Sequence, residues 1–194
     1  MALQKSVEKW KSKNWFDVYA PKIFGDIVIG EIPAADEKKI LGRRIKVSLS
    51  WITHKPEHSF LVIGLKVNDS KGNVAHTTIN YLEQTYSYVH SLVKRHGSVI
   101  YTIDNVRDKD NNDLVVKLIL VSRGKITTTK KTAIRKGISS LLKELVAGMS
   151  KEELITSVIE NKLQNEGRNK IKNIAFINKL EVKKIEFETK GNSS

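Results

Sequence analysis

Cysteine is absent from this chain of 194 residues, and proline (3) and methionine (2) are rare. The absence of thiols excludes a disulfide scaffold, a cysteine nucleophile and a zinc or iron–sulfur site held by cysteine. No apolar run approaches the roughly 20 residues that cross a bilayer, and the N-terminus lacks the continuous apolar stretch of a secretory signal. Hydrophobic residues make up 40% of the chain, which is enough for a true core. Together these features lead us to expect an intracellular, soluble protein.

Acidic residues are scarce: 21 Asp and Glu stand against 34 Lys and Arg, which gives a net charge of +13. The basic excess is clustered in segments 5–13, 38–46 and 123–136, and the last two contain no acid. A solvated, solubilising surface would explain one such run. Three runs on a small chain produce a strong positive field, and nucleic acid is the polyanion that most commonly meets such a field.

Hydrophobic periodicity divides the first half into an arm, several strands and one helix. Residues 1–24 show no sustained period, so we expect an extended arm that docks through its aromatic side chains. A helix is predicted from Leu82 to Val93, with Gly97 as its left-handed cap. The predicted strands, joined in part by turn residues at 68–72, lie at 26–32, 43–52, 59–67 and 74–80.

The second half begins with an expected antiparallel hairpin and continues mainly as helices. Segment 98–106 pairs with 114–122 in this prediction, and the basic run then leads to a helix over 133–149. Ser150 and Glu153 form a capping box for a second helix, which we expect Gly167 to end. A short helix at 168–177 and a strand at 180–188 follow, although the alternation of that strand slips between Val182 and Ile185. The order predicts an α+β fold with an antiparallel, barrel-like sheet.

Motifs for catalysis or metal binding fail on inspection. The acids of 108–113 begin like a calcium loop, but Asp113 stands where glycine is required, so a hairpin turn explains them better. His54 and His58 have zinc-like spacing, yet Pro56 would break the helix that this spacing needs. No nucleotide-binding or serine-hydrolase motif is present. We therefore expect no catalytic residue, no metal site and no cofactor, and we predict that the protein is not an enzyme.

The basic segments also contain residues suited to RNA. In 123–136 the residues between the cations include Thr127, Thr128, Thr129 and Thr132, which suggests a flexible loop whose backbone and hydroxyls suit phosphate oxygens. An extended basic loop fits irregular RNA better than a regular duplex, and no helix-turn-helix or basic zipper is present. Trp10 and Trp15 could stack on unpaired bases, whereas Phe16 is expected to anchor the arm to the core.

Two of these segments resemble a known family. Lys13-Asn-Trp-Phe-Asp-Val-Tyr-Ala-Pro-Lys-Ile-Phe-Gly25 resembles the opening of the archaeal and eukaryotic small-subunit ribosomal protein family S3Ae. In 123–136 the family carries a similar basic run ending in Ile-Arg-Lys. The likeness continues through Gly42-Arg43 and the 98–122 hairpin and covers nearly the whole chain. The termini are shorter than those of cytosolic eukaryotic members, which favours the archaeal type.

The resemblance implies a structural constituent of the small ribosomal subunit, on the platform near the messenger exit. Its implied partners are ribosomal RNA, neighbouring ribosomal proteins and messenger RNA near the exit. The protein would be a monomer in the cytoplasmic ribosome, and it would have neither a membrane partner nor a cofactor. Family members have a barrel-like core with flanking helices, which implies one α+β domain at 25–190 between the arm and a tail at 191–194. The RNA contacts implied by the resemblance are Lys13, Arg43, Arg123, Lys125, Lys130, Lys131, Arg135 and Lys136. Charge clustering alone adds Lys11, Lys38, Lys39, Arg44 and Lys46.

The alternatives share the same basic surface. An RNA-modifying enzyme, or another RNA-binding protein outside the ribosome, would use the surface to grip RNA, but the enzyme would also need a cofactor motif or an acid–base pair. A membrane-surface or acidic-protein binder would need a basic amphipathic helix, and the predicted 133–149 helix carries few cations. If RNA is the partner, we expect the arm and the 123–132 loop to become ordered as their cations displace counterions.

Overall fold

The computed structural model describes residues 13–187. These residues fall into two compact units, the first containing residues up to 59 together with 63–80, and the second containing 60–62 together with residues from 81 onward. The strands of the described range are β1 Asn14–Tyr19, β2 Val28–Ala34, β3 Arg44–Ser48, β4 Leu61–Lys71, β5 Val74–Gln84, β6 Val99–Arg107, β7 Asp113–Ser122 and β8 Ile177–Phe187. The α-helices are α1 Leu49–Thr53, α2 Tyr86–Leu92, α3 Thr128–Ala147, α4 Lys151–Ile159 and α5 Lys162–Ile171.

Strand β1 lies inside the sheet of the first unit, within the segment expected to be an arm. It pairs antiparallel with β2 and parallel with β5, while β4 pairs with β3 and β5. Phe16 and Val18 alternate inward and join a buried cluster with Ile40 and Val67, which confirms the docking role expected of Phe16. Trp15 on the opposite face is 53% exposed, and this mixture of aromatic and polar residues hid the strand period in the sequence.

The predicted strand over 43–52 divides into a strand and a helix. β3 ends at Ser48 and α1 begins at Leu49. Leu49 and Ile52 are both buried, and their spacing of three residues places them on one helical face. Because Trp51 is 61% exposed, the alternation expected of a strand does not continue through this segment. The strand therefore ends earlier than predicted, although the apolar alternation of the sequence continues to Trp51.

The helix predicted after β5 is shorter than expected. Leu82 belongs to β5, and α2 covers only Tyr86–Leu92. The left-handed residue in the following turn is His96, with φ of 63°, rather than Gly97. Gly97 is needed for another reason: a Cβ there would lie 2.6 Å from the backbone oxygen of Ser122. Glycine therefore permits two backbone segments to approach each other closely.

The second unit contains the predicted hairpin. β6 and β7 pair antiparallel from Val99 opposite Val121 to Arg107 opposite Asp113, and β8 pairs with β7 and with the last residues of β5. Opposite Lys117 and Leu118 the register of β8 skips one residue, Lys183. This β-bulge explains the slip in alternation of the sequence, because one extra residue reverses the facing of those after it.

Three helices occupy the later half of the second unit, but their bounds differ from the prediction. The capping box of Ser150 and Glu153 is confirmed by both of its hydrogen bonds at the start of α4. α4 ends at Ile159, and the chain turns at Asn161, whose φ is 60°. Gly167 lies inside α5 rather than at a helix end, and a Cβ there would lie 3.0 Å from Leu180. β8 begins at Ile177, so no separate helix forms at 168–177.

The architecture confirms the α+β class. Antiparallel pairing joins β1 to β2, β5 to β8, β6 to β7 and β7 to β8. The three longest helices follow the β-rich part, as the element order predicted. The parallel pairing of β1 with β5 was not anticipated. The sheet is not closed, so the barrel-like form is not confirmed. Within residues 13–187, no helix is long and apolar enough to cross a membrane.

Candidate nucleic-acid interface

The basic run 123–136 forms a short loop followed by the first turns of a helix. Residues 123–127 connect β7 to α3, and the helix begins at Thr128 rather than near 133. Thr127 is the N-terminal flanking residue, and its carbonyl accepts from the backbone N–H of Lys131 at 3.0 Å. The expectation of a loop extending to residue 132 is therefore wrong. Tertiary packing of the apolar side of α3 outweighs the weak helix propensity of threonine.

Two buried serines fix the loop on the end of the β6–β7 hairpin. Ser122 Oγ accepts from the backbone N–H of Ser98 at 3.0 Å and donates to the carbonyl of Gly124. Ser98 Oγ accepts from the backbone N–H of Ile126 at 3.0 Å. The loop backbone is thus held on both sides by side chains that are 8% (Ser98) and 2% (Ser122) exposed. Arg123 and Lys125 project from an anchored backbone.

Helix α3 turns its cations away from the core. Its buried residues repeat every four positions along one stripe: Ile134, Ile138, Leu142 and Val146. Lys130, Arg135 and Lys136 are exposed and Lys131 is half-buried. Arg135 also donates a hydrogen bond from Nε to the carbonyl of Tyr101 at 3.4 Å. The sequence therefore places a cationic surface over residues 123–136, which we call the basic surface.

The charge on the basic surface is uncompensated. Within residues 13–187, none of its cations forms an ion pair with a carboxylate. The first turn of α3 contains no acid, and Lys130 lies within it. A helix N-terminus carries partial positive charge, so acids are the stabilising residues there and lysines are not. A bound anion such as phosphate would relieve this local repulsion.

The cations predicted in 38–46 lie in the first unit, and Lys39 and Arg43 among them bind neighbouring groups. Lys39 Nζ lies 2.9 Å from an Asp36 carboxylate oxygen, and both side chains are largely exposed. Arg43 donates from Nε to the carbonyl of Lys39 and from Nη1 to that of Pro33, each at 3.0 Å. The guanidinium of Arg43 therefore fastens its own turn. The other exposed candidates of this unit are Lys13, Lys38, Arg44 and Lys46.

The remaining N-terminal candidates are only partly described. Lys11 and Trp10 lie outside the described residues. Trp15 offers an exposed ring on β1, whereas the ring of Phe16 is buried in the core. Of the aromatic residues considered for base stacking, Trp15 is therefore the one whose ring is available within 13–187.

Four residues near Arg123 escaped the sequence analysis. Lys94, Arg95, Phe176 and Asn178 line a pocket of about 360 Å³ together with Arg123 and the end of β7. The predicted 98–122 hairpin contained part of this signal, because the residues just before and just after a hairpin must lie side by side. Phe176 and Asn178 were unpredictable, since their placement depends on the register of β8.

The acidic and histidine motifs have structural explanations. Asp108 accepts from the backbone N–H and side-chain amide of Asn112 at 2.8 and 3.0 Å, which confirms the hairpin turn. His58 Nδ1 shares a 2.9 Å hydrogen bond with Thr53 Oγ1. Within the described residues, no group of three metal-ligating side chains exists. Burial, together with the charge and hydrogen bond of Glu181, raises the pKa of Tyr88 to about 12 and holds this tyrosine as a neutral donor.

These features define a class: a small basic α+β protein with a surface of cations that have no carboxylate partner within residues 13–187. The chain belongs to the Ribosomal S3Ae family, whose model matches residues 2–191. It is 34% identical over 177 residues to the small ribosomal subunit protein eS1 of Staphylothermus marinus, covering 91% of this chain and 84% of the relative. The eS1 protein of Sulfolobus acidocaldarius is 32% identical over 181 residues, covering 93% and 92%.

A third relative, eS1 of Pyrobaculum neutrophilum, is 33% identical over 178 residues, covering 92% of this chain and 80% of the relative. These matches confirm the family that the sequence resemblance indicated, and the named relatives are archaeal. The family is one of ribosomal structural proteins and not of enzymes, which confirms the prediction on enzymatic activity.

Proposed function

We propose that this protein is a structural constituent of the small ribosomal subunit in the cytoplasm and that its basic surface binds ribosomal RNA. Membership of the S3Ae family supports the ribosomal role. The observation that carries the RNA-binding role is the set of cations over 123–136 that have no carboxylate partner within residues 13–187. Cations without a carboxylate partner in the described part of the chain are suited to phosphate oxygens.

The proposed mechanism is electrostatic clamping of RNA. Each phosphate neutralised by Lys or Arg releases condensed counterions, which favours binding at low salt. Ser98 and Ser122 hold the backbone of the 123–127 loop before RNA arrives. Folding has therefore already fixed this part of the backbone, and binding has less conformational entropy to remove. Function here consists of holding RNA in a shape, without turnover.

Several finer features belong to the same proposal. The protein acts in subunit assembly as a monomer within the ribosome, on the platform near the messenger exit, where messenger RNA and neighbouring ribosomal proteins are further partners. The exposed cations Lys13, Lys38, Arg44 and Lys46 extend the RNA contacts to the first unit. A barrel-like closure and one ribosomal domain at 25–190 remain predictions.

The decisive experiment removes the cations of the basic surface. A variant with Arg123, Lys125, Lys130 and Lys131 all replaced by Ala is titrated against small-subunit ribosomal RNA at several salt concentrations. The log–log salt slope should decrease by about 0.7–0.9 for each lost phosphate contact, or about 3 in total. Thermal stability should be nearly unchanged, because none of these side chains has a carboxylate partner within residues 13–187 and only Lys131 is half-buried.

The matched control removes the same charge from the same unit. Replacing Lys109, Lys143, Lys170 and Lys172 with Ala lowers the net charge equally but spares the basic surface. An equal loss of slope in both variants would show that only net charge matters and would contradict the proposed surface. Sedimentation of cell extract adds a second readout: the chain should co-migrate with small subunits, and the basic-surface variant should shift toward the free pool.

A further inference from the structure

The pocket beside Arg123 combines features that the basic surface alone lacks. Its volume of about 360 Å³ lies at the lower end of the roughly 300–1,000 Å³ typical of ligand pockets. Three cations, Lys94, Arg95 and Arg123, line it together with Asn178 and the ring of Phe176. Phe176 is 69% exposed, so its ring lies open at the pocket rather than in the core.

Close backbone contacts bring the cations together. The turn after α2 carries Lys94 and Arg95, and the loop after β7 begins with Arg123. Ser98 and Ser122 join the two segments, since each backbone N–H is bonded to the other residue. Gly97 allows this approach because any side chain there would collide with the Ser122 carbonyl. The cluster of cations is thus fixed by the fold.

A β-bulge directs the other wall of the pocket. Val121 pairs with Lys179 and Ser122 pairs with Ile177, so Asn178 is left without a partner in the register. Bulges re-aim side chains at the ends of strands. The bulged residue Asn178 lines the pocket together with Phe176 and the buried residues Val121 and Ser122.

The chemistry of the pocket matches one unpaired nucleotide. An exposed aromatic ring offers a stacking face for a base of any sequence, and nearby Lys and Arg neutralise its phosphates. An amide side chain both donates and accepts, which suits a base edge. Within residues 13–187, none of the three cations is ion-paired, so the pocket remains strongly positive.

We propose that this pocket holds a single extruded RNA base stacked on Phe176, with its flanking phosphates on Lys94, Arg95 and Arg123. The inference rests on the proposed function and deepens it, because it names unpaired RNA as the form recognised. A segment of a neighbouring protein could also pack on the ring of Phe176, but it would need acidic residues to neutralise the three cations. The nucleotide supplies both the planar ring and the negative charge in one ligand.

The test compares oligoadenylate with an abasic oligonucleotide of equal length, by fluorescence anisotropy with the full chain. The wild-type protein should bind oligoadenylate about 10-fold more tightly than the abasic strand. Phe176→Ala should lose this preference and bind both strands like the abasic one, whereas Phe176→Tyr should keep it. Tyr86→Ala is the matched control, because Tyr86 is 77% exposed in the same unit but does not line the pocket.

Failure of this inference can be separated from failure of the proposed function. Base stacking on Phe176 would be overturned if the Phe176→Ala variant kept the preference for oligoadenylate. It would also be overturned if the variant bound both strands more weakly by the same factor. Lys125 and Lys130 do not line the pocket. If the basic surface binds phosphate, the Lys125→Ala, Lys130→Ala double variant should bind both strands more weakly by the same factor. If Phe176→Ala reduced incorporation into small subunits without changing the preference, a protein segment would be the occupant and the RNA inference would be wrong.

Discussion

Two lysine-rich regions of the second unit use positive charge in opposite ways. On the sheet, Lys117 lies opposite Lys184, a like-charged pair that would destabilise the strands on its own. Glu186 lies 3.2 Å from Lys117 Nζ and 2.8 Å from Lys184 Nζ, and Glu83 lies 3.4 Å from Lys184 Nζ. The basic surface contains no such acids. Lysine therefore stabilises the fold where strands bring carboxylates to it and remains available for a partner where they do not.

The pKa values of Lys184 and Glu186 reflect these contacts on the sheet. Burial acts to lower the pKa of Lys184, but hydrogen bonds and charges from Glu186 and Glu83 raise it overall. The hydrogen bond from Lys184, followed by that from Lys117, holds the pKa of Glu186 below its usual value despite burial. Each charge in this region is thus stabilised by its neighbours, and removal of one member leaves the others uncompensated.

The largest expected effect concerns the support of the basic surface. Ile134 is fully buried on α3 between Lys131 and Arg135. Ile134→Ala should lower the free energy of unfolding by about 2–5 kcal/mol, because it removes buried methyl groups and leaves a cavity. Urea denaturation followed by circular dichroism measures this loss. The exposed neighbour Lys136→Ala is the control and should change stability by about 0.5 kcal/mol or less; an equal loss in both variants would mean that α3 depends on its charges rather than on its packing.

A smaller effect distinguishes the ion-paired lysines of the sheet from the lysines of the basic surface. Lys184→Met leaves Glu83 and Glu186 half-buried with one fewer cation, so we expect a stability loss of about 1 kcal/mol, the upper range for a pair open to solvent. RNA affinity should barely change. Lys130→Met is the matched variant, for which we expect unchanged stability and weaker RNA binding. Chemical denaturation and filter binding on both proteins check the contrast, and a reversal of either result would break it.

Local signals in the sequence were sufficient to predict some structural elements and insufficient to predict others. The 98–122 hairpin and the Ser150–Glu153 capping box follow from neighbouring residues, because strand alternation and helix caps are local patterns. Gly97 could not be interpreted correctly, since its role depends on Ser122, which lies far along the chain. Gly167 is similar: it resembles a helix terminator, but its small size serves the contact with Leu180.

The candidate site likewise contains features that the sequence predicted and features that it did not. The basic surface was visible as an acid-free run in the sequence, although the start of α3 at Thr128 was not. The Phe176 pocket depends on the bulge at Asn178 and on the backbone hydrogen bond between Ser122 and Ser98. Both arise from strand register, which sequence patterns of one segment do not contain.

The smallest expected effect is the pH dependence of the free energy of unfolding that Glu186 of the sheet region contributes. Because the folded-state pKa of Glu186 is below its ordinary value of 4.5, the unfolded chain binds more protons in the interval between the two values. The stabilisation from Glu186 is therefore fully present above about pH 4.5 and is lost as the pH falls through the folded-state pKa. Solvent screens the carboxylate, so the contribution is about 0.5 kcal/mol or less.

A comparison of two variants isolates this contribution from other acids, among them Glu153, whose pKa the Ser150 hydrogen bonds also lower. Glu186→Gln should flatten the decline of unfolding free energy below pH 4.5, and Lys184→Met should flatten it partly, because Lys117 remains to stabilise the carboxylate. The Lys130→Met protein should follow the wild-type curve. If Lys130→Met changed the acid limb as much as Lys184→Met, the basic surface would take part in stabilising the fold, and the distinction between the two regions would be lost.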